Sequence, residues 1–264
     1  MRVIFLAALV LISTSLADGQ TRRRTKTTKP AVVTAEPSGK GVESVVVKTE
    51  PKKNERPAAR NPETVTEPAR KSNGIAYYYE FSQPEFEITN IVIEHDDTGK
   101  GKITFTKRMF RETVSDPLQV SAAALERIDA AYQALNFLES NESYQHEKDF
   151  SHLGVSTFRL KKGDRARTTV FNYTTNKDAK ALADEYRRIA NQFIWVFDIT
   201  LARENQPLES PRLLDALDAL FRRNEISDPV QMVPLLNDLT NDVRIPLIAR
   251  NHARKLVERI EKKK

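Results

Sequence analysis

Residues Leu182 to Leu201, LADEYRRIANQFIWVFDITL, carry the single Trp of the chain, Trp195, and decide how the rest is read. At about 100° per residue, Leu182, Tyr186, Ile189, Phe193, Val196 and Thr200 fall in one stripe, widened by Ala190, Ile194, Phe197 and Leu201. From Phe193 onward Trp195 and Ile199 put bulk on the opposite side, so the second half is apolar nearly all round, as in a helix covered by two layers. The octet FIWVFDIT is β-branched and aromatic and also fits a buried strand, but about 20 residues of continuous pattern without Gly or Pro favour the helix. A β layer is expected before it and a helical cap after it. Phe193 then lies mid-core, and Phe193→Asp is expected to unfold residues 75–264.

Working back toward the N-terminus, Phe86 to Glu94 (FEITNIVIE) and Lys102 to Lys107 (KITFTK) flank the turn Asp96-Asp97-Thr98-Gly99-Lys100-Gly101 and read as an antiparallel hairpin. Tyr77 to Phe81, followed by Pro84, adds an edge strand. Val155 to Leu160 and Arg167 to Tyr173, around Lys161 to Arg165, make a second hairpin whose alternation buries one face. Asp116-Pro117 ends the first hairpin. Ser121 then caps a helix reaching about Leu138, with Val120 and Leu125 as a hydrophobic staple and Leu125, Ile128, Tyr132, Leu135 and Leu138 as its buried stripe. The expected fold class is α+β: an antiparallel sheet of four to five strands with two long helices on one face, followed by a small C-terminal all-helical subdomain.

Three motif matches fail on their surroundings. Asp97-Thr98-Gly99 follows Glu94-His95-Asp96 rather than an apolar strand, so it reads as a turn and not as an aspartic-protease carboxylate. Gly99-Lys100-Gly101-Lys102 lacks the spacing of a phosphate loop and runs into a strand. Lys107 stands where a calcium loop starting at Asp96 would need a bidentate Glu.

Between the first helix and the second hairpin lies Glu139 to Gly154, ESNESYQHEKDFSHLG, a long polar connection of the kind that carries function on a rigid scaffold. Tyr144, His146, Asp149 and His152 are its candidate binding residues, with Tyr144, Phe150 and Leu153 tucking inward and the loop covering the sheet edge. His146 and His152 have the spacing of neither a helical His-Glu-x-x-His site nor a zinc knuckle, so no metal is expected. Asp149, Ser151 and His152 form no triad, because a Ser does not present Oγ to its own neighbour's imidazole and no Gly-x-Ser-x-Gly elbow exists. No catalytic residue is assigned. Beyond residue 74 the chain has only Gly99, Gly101, Gly154 and Gly163, all in turns, so no Gly-rich cradle for a cofactor is expected.

After Pro207, Ser210-Pro211 starts a helix with Leu214, Leu217, Leu220 and Phe221 on one side, and Ser227-Asp228-Pro229 starts another. Arg250, Arg254, Lys255 and Arg259 read as a solvated face. The run Val233-Pro234-Leu235-Leu236-Asn237-Asp238-Leu239, then Asp242-Val243-Arg244, then Ala249, Ala253, Leu256 and Ile260, resembles a single HEAT-like helical repeat over about 230–262. The likeness includes its Pro in the first helix and its Val-Arg start to the second. A HEAT solenoid needs three or more stacked units and one is visible, so no scaffold array is implied.

Residues 1–19 read as a secretory signal: Arg2, the apolar run Val3 to Ile12, and Ser15-Leu16-Ala17 or Gly19 as the cleavage site. From Thr21 to Gly74 there is no Leu, Ile, Met, Phe, Tyr or Trp, so residues 20–74 are expected to be a disordered Pro/Thr/Lys/Glu-rich linker. Residues 75–206 are then the α+β domain and 207–264 the helical subdomain. Residues 18–74 hold thirteen Lys/Arg against seven Asp/Glu and Arg2 adds one more, so of the net charge of +6 the folded part carries about −1 and is near neutral. A fold that tracked nucleic acid would carry that excess itself, so no nucleic-acid partner is expected. The chain has no Cys, which rules out disulfide staples and a lipidated-Cys anchor and suits a bacterial envelope.

The reading that fits best is an exported, periplasmic or extracellular, non-catalytic envelope module that binds a protein or polymer partner, without a transmembrane segment after signal removal. One alternative is a secreted hydrolase using Glu147 and Asp149 near His152. The other is polyanion capture by the tail through Arg22, Arg23, Arg24 and Lys26.

Overall fold

The computed structural model describes residues 72–109 and 112–262. The expected signal over 1–19, the linker up to residue 71 and the tail residues Arg22, Arg23, Arg24 and Lys26 lie outside the described residues. The last linker residues are tied down: Ser72 Oγ and the Asn73 amide donate to the Asp97 carboxylate at 2.8 and 2.7 Å. Asp97 therefore ties the chain ahead of β1 to the hairpin turn; burial alone would raise its carboxyl pKa, but these hydrogen bonds hold it below the ordinary range.

Six strands form one antiparallel sheet: β1 (Ile75–Ser82), β2 (Ile88–Asp96), β3 (Lys100–Lys107), β4 (Thr113–Gln119), β5 (Val155–Lys162) and β6 (Arg165–Phe171). Their order is β4-β3-β2-β1-β5-β6. The fold is α+β as expected, with one strand more. The extra strand is β4, where Asp116-Pro117 continues the sheet instead of ending it, with Pro117 opposite Lys102. An edge strand tolerates a residue without an N–H, because the outward side has no ladder to join. β1, expected at an edge, is central and pairs with both β2 and β5. Pro84 falls after its last residue, so nothing in the strand interrupts either ladder.

Period-two alternation sends Tyr77, Tyr79, Ile93, Ile103, Phe105 and Phe158 to one face, where they are buried. That face is covered by α1 (Ala122–Ala134) and α2 (Lys177–Asn205). Ser121 caps α1 by accepting from the Ala124 amide at 3.3 Å, and Val120 and Leu125 are both buried, as the staple requires. The helix stops short of Leu138 because Asn136 takes the left-handed conformation, φ 43°, and turns Phe137 into the core. Asn176 caps α2 through its side-chain oxygen, which accepts from the Asp178 and Ala179 amides.

α2 serves two cores in succession. Leu182, Tyr186, Ile189, Ala190 and Ile194 belong to the sheet-side cluster. Trp195 and Ile199 belong to a second cluster, with residues of α3 (Ser210–Arg222), α4 (Val233–Asn241) and α5 (Leu247–Lys262). Each fully buried Leu or Ile there contributes about 1.5–3 kcal/mol. The buried side rotates where the clusters meet, so Phe193, Val196 and Phe197 are half-buried and Leu201 is exposed. Phe193 thus sits at the rim of the first core and not at its centre. Trp195 Nε1 donates to the Leu213 carbonyl at 2.7 Å, fastening α3 to α2.

In the stretch that resembles a HEAT repeat, Pro234 occupies the first turn of α4. Asp242-Val243-Arg244 forms the connection and α5 begins only at Leu247, after Pro246, which fits a helix N-terminus because its missing N–H costs nothing there. Among the described residues no helix is long and apolar enough to cross a membrane.

Candidate functional site

The loop from Glu139 to Gly154 is fixed against β6 and the end of β1. Arg167 of β6 reaches into it, donating to the carbonyls of Phe137 and Glu142 at 2.7 and 2.6 Å and to the Tyr144 hydroxyl at 3.1 Å. Its guanidinium also lies 4.8 Å from the Phe137 ring centre and 5.2 Å from that of Tyr144. Tyr144 is buried, so its place in the structure is to position the loop.

Past the end of β6 the chain mimics another strand pair with side chains. The Asn172 amide donates to Gln145 Oε1 at 2.9 Å, Gln145 Nε2 donates to Asn172 Oδ1 at 2.8 Å, and the His146 amide donates to the Tyr173 carbonyl at 2.9 Å. These bonds pair the backbone of the two residues that follow β6, which would otherwise be left open. Asp149 accepts from the Asn172 side-chain amide. The short turn Ser151–Leu153 is held by Gln83, whose Nε2 donates to the Ser151 carbonyl at 2.9 Å. Gly154 closes the loop at φ 85°, and a Cβ there would meet the Phe81 ring at 2.5 Å.

What the fixed loop presents is an aromatic and imidazole cluster. The Tyr173 ring lies 4.8 Å from Phe150 and 5.4 Å from His146, and Phe150 lies 6.2 Å from His152. Leu153, expected to tuck inward, stays 41 % exposed. Val155 and Val170, on neighbouring strands, are also exposed, as is Tyr173. Of the four residues singled out by sequence, His146 and His152 thus join one surface cluster, Asp149 braces it, and Tyr144 anchors it from below.

No family model matches the chain, and no curated protein matches it. The chemistry of the site is therefore read from its own groups. His146 Nδ1 accepts from the Lys148 amide at 3.0 Å, which assigns its donor to Nε2 when neutral. The cluster can stack, bury apolar groups and hydrogen-bond through imidazole and phenol. Among the described residues no group of three or more His, Asp or Glu is placed to hold a metal ion. Tyr173, Asn172, Gln145 and Arg167 were not identified from sequence as functional. Arg167, Asn172 and Tyr173 lie within or just past a strand, and what recruits them is the path of a loop about 25 residues away in the chain that also carries Gln145, which no local pattern records.

A second concavity lies at the far ends of α3 and α5. It encloses about 280 Å³ and is lined mainly by Phe221, Ile226, Val230 and Ile260, with Arg259 at its rim paired to Asp218. None of the four residues identified from sequence lines it.

Proposed function

We propose that the protein is an exported, non-catalytic envelope module that binds a protein or polymer partner through the surface formed by His146, Phe150, His152 and Tyr173. The observation that carries this reading is the combination of exposure and fixation. Exposed His152 and Tyr173 and half-buried His146 and Phe150 stand on the loop and the end of β6, braced from Gln83, Arg167 and the Asn172 segment, so little ordering entropy is left to lose on binding. Tyr side chains presented in this way supply contact area at low conformational cost.

The reading is tested by immobilising the full chain, capturing partners from an envelope extract, and repeating the capture with a His152→Ala, Tyr173→Ala double variant of equal thermal stability. At least a tenfold drop in the retained partner is expected. Equal retention by both forms would move the binding surface elsewhere.

A further inference from the structure

We infer that His95, Tyr186 and Tyr132 form a proton-operated latch between the sheet and its two helices, in which uptake of a proton by His95 reverses one buried hydrogen bond and weakens the clamp of α2 on the sheet.

His95 is buried near the end of β2 and faces the helices. Its Nδ1 lies 2.8 Å from the Asp96 carbonyl, which can only accept, so Nδ1 carries the hydrogen. Nε2 is then a bare lone pair, and the group that fills it is the Tyr186 hydroxyl of α2, at 3.0 Å. This bond joins sheet to helix directly, and its polarity is set by the tautomer.

A proton from solvent can enter only at Nε2. Once it does, Nε2 becomes a donor to the Tyr186 oxygen, and the Tyr186 hydrogen has to turn to another acceptor. One stands ready. The Tyr132 hydroxyl of α1 is buried beside that of Tyr186, close enough to interact with it, and makes no hydrogen bond to any other group. The cluster therefore has two arrangements, His95 accepting from Tyr186 when neutral, and His95 donating to Tyr186 with Tyr186 donating to Tyr132 when charged.

The surroundings grade the response. From β1, Tyr77 stacks on the imidazole at 4.7 Å and donates to Asp129 of α1 at 2.5 Å. From β3, the residue paired with His95 is Gly101, which brings no side chain. From α1 come Asp129 and Tyr132, from α2 Tyr186, and from β2 itself Asp96. The charged groups that act on the imidazole are thus carboxylates, which favour the imidazolium, while burial disfavours it and is the larger effect, lowering the affinity for the proton below that of an ordinary histidine. The unfolded chain takes the proton first. Stability is fully present above about pH 6.5 and declines as pH falls from there toward the folded value.

The test is an imidazole NMR titration of the full chain beside a series of melts from pH 7.5 to 4.5. At pH 7.5 His95 should show the Nδ1–H tautomer, and its midpoint should lie at least one pH unit below that of a histidine in an unstructured peptide, a tenfold weaker proton affinity. Tyr132→Phe, which deletes the waiting acceptor, should lower that midpoint further without changing the neutral tautomer. His95→Gln should remove most of the fall in melting temperature between pH 6.5 and 5. An Nε2–H tautomer at pH 7.5, an ordinary midpoint, or a midpoint indifferent to Tyr132→Phe would overturn the latch, and the first two need no variant to fold.

Discussion

The Glu185 carboxylate on α2 receives the Arg127 guanidinium of α1 in two hydrogen bonds, 2.9 Å from Nε and 2.8 Å from Nη2, with 2 % of the Glu185 side chain exposed. Arg188 and the Ser227 hydroxyl donate to the same carboxylate at 2.6 Å each. One acid thereby joins both helices of the first layer to the segment that leads into the short helical turn Pro229–Met232 and α4. Burial alone would raise the Glu185 pKa, but the bonds from Arg127 and Ser227 and the charges of Arg127 and Arg188 hold it below the ordinary value.

Glu185→Gln keeps the volume and removes the charge. Loss of one partner from a buried ion pair costs about 3–5 kcal/mol, and because Arg127 is 43 % exposed and can recover water, about 2 kcal/mol is expected here. Since the folded pKa is depressed, the contribution is complete above about pH 4.5 and is lost as pH falls through the folded value. Urea titrations at pH 7 and pH 3 should show a gap between wild type and variant that narrows in acid. A gap of the same size at both values would mean that packing, and not charge, sets it.

Gly154→Ala should loosen the candidate surface. A side chain at φ 85° is strained, and the new methyl would run into Phe81 at the end of β1. The expected cost is about 1–3 kcal/mol, with faster amide exchange over Gln145 to Leu153 and little change in the second core. Unchanged exchange in that segment would show that Phe81 can yield.

Arg167→Ala leaves the Phe137 and Glu142 carbonyls without their donor and exposes the Tyr144 hydroxyl. About 1.5–3 kcal/mol should be lost, as for a charged donor serving several acceptors. Crystal or NMR coordinates of the variant should show Tyr144 displaced. A Tyr144 still in place would assign the loop's position to ring packing on Phe137.

Charge placed on α2 should matter by position. Ile189 is 1 % exposed in the first core, whereas Phe193 lies at its rim with a path to solvent. Ile189→Asp should abolish folding, and Phe193→Asp should leave a folded chain destabilised by a few kcal/mol. Circular dichroism of the two variants at 25 °C decides this, and two equally unfolded spectra would restore Phe193 to the centre of the core.

Because α2 is one continuous helix through both clusters, their unfolding should be coupled. Trp195 reports the second core and the Tyr77, Tyr79, Tyr132 and Tyr186 group reports the first. Denaturation followed by Trp emission and by near-ultraviolet Tyr signal should give coincident midpoints. Midpoints that separate would show that the cap of α3, α4 and α5 can leave α2 without melting it.

Much of this was legible in residues alone. Periodicity placed α2, the two hairpins and the helical cap, and the Ser121 cap illustrates why: a helix start is a bond between neighbours in the chain. The histidines of the long loop could also be picked out, because polar length between two strong patterns is itself a signal. β4 could not, since Pro117 breaks a strand everywhere except at an edge, and whether a strand is an edge depends on what the other five do.

The sequence by itself determined most of the elements and the apolar side of each, because these follow from interactions within a few residues. The tertiary structure alone decided that β1 is central, that Phe193 lies at a rim while Trp195 turns to a second core, and that His95 meets Tyr186 across 91 positions. Each of those depends on which distant surface arrives, and hydrophobic burial, which drives the arrival, carries no direction of its own.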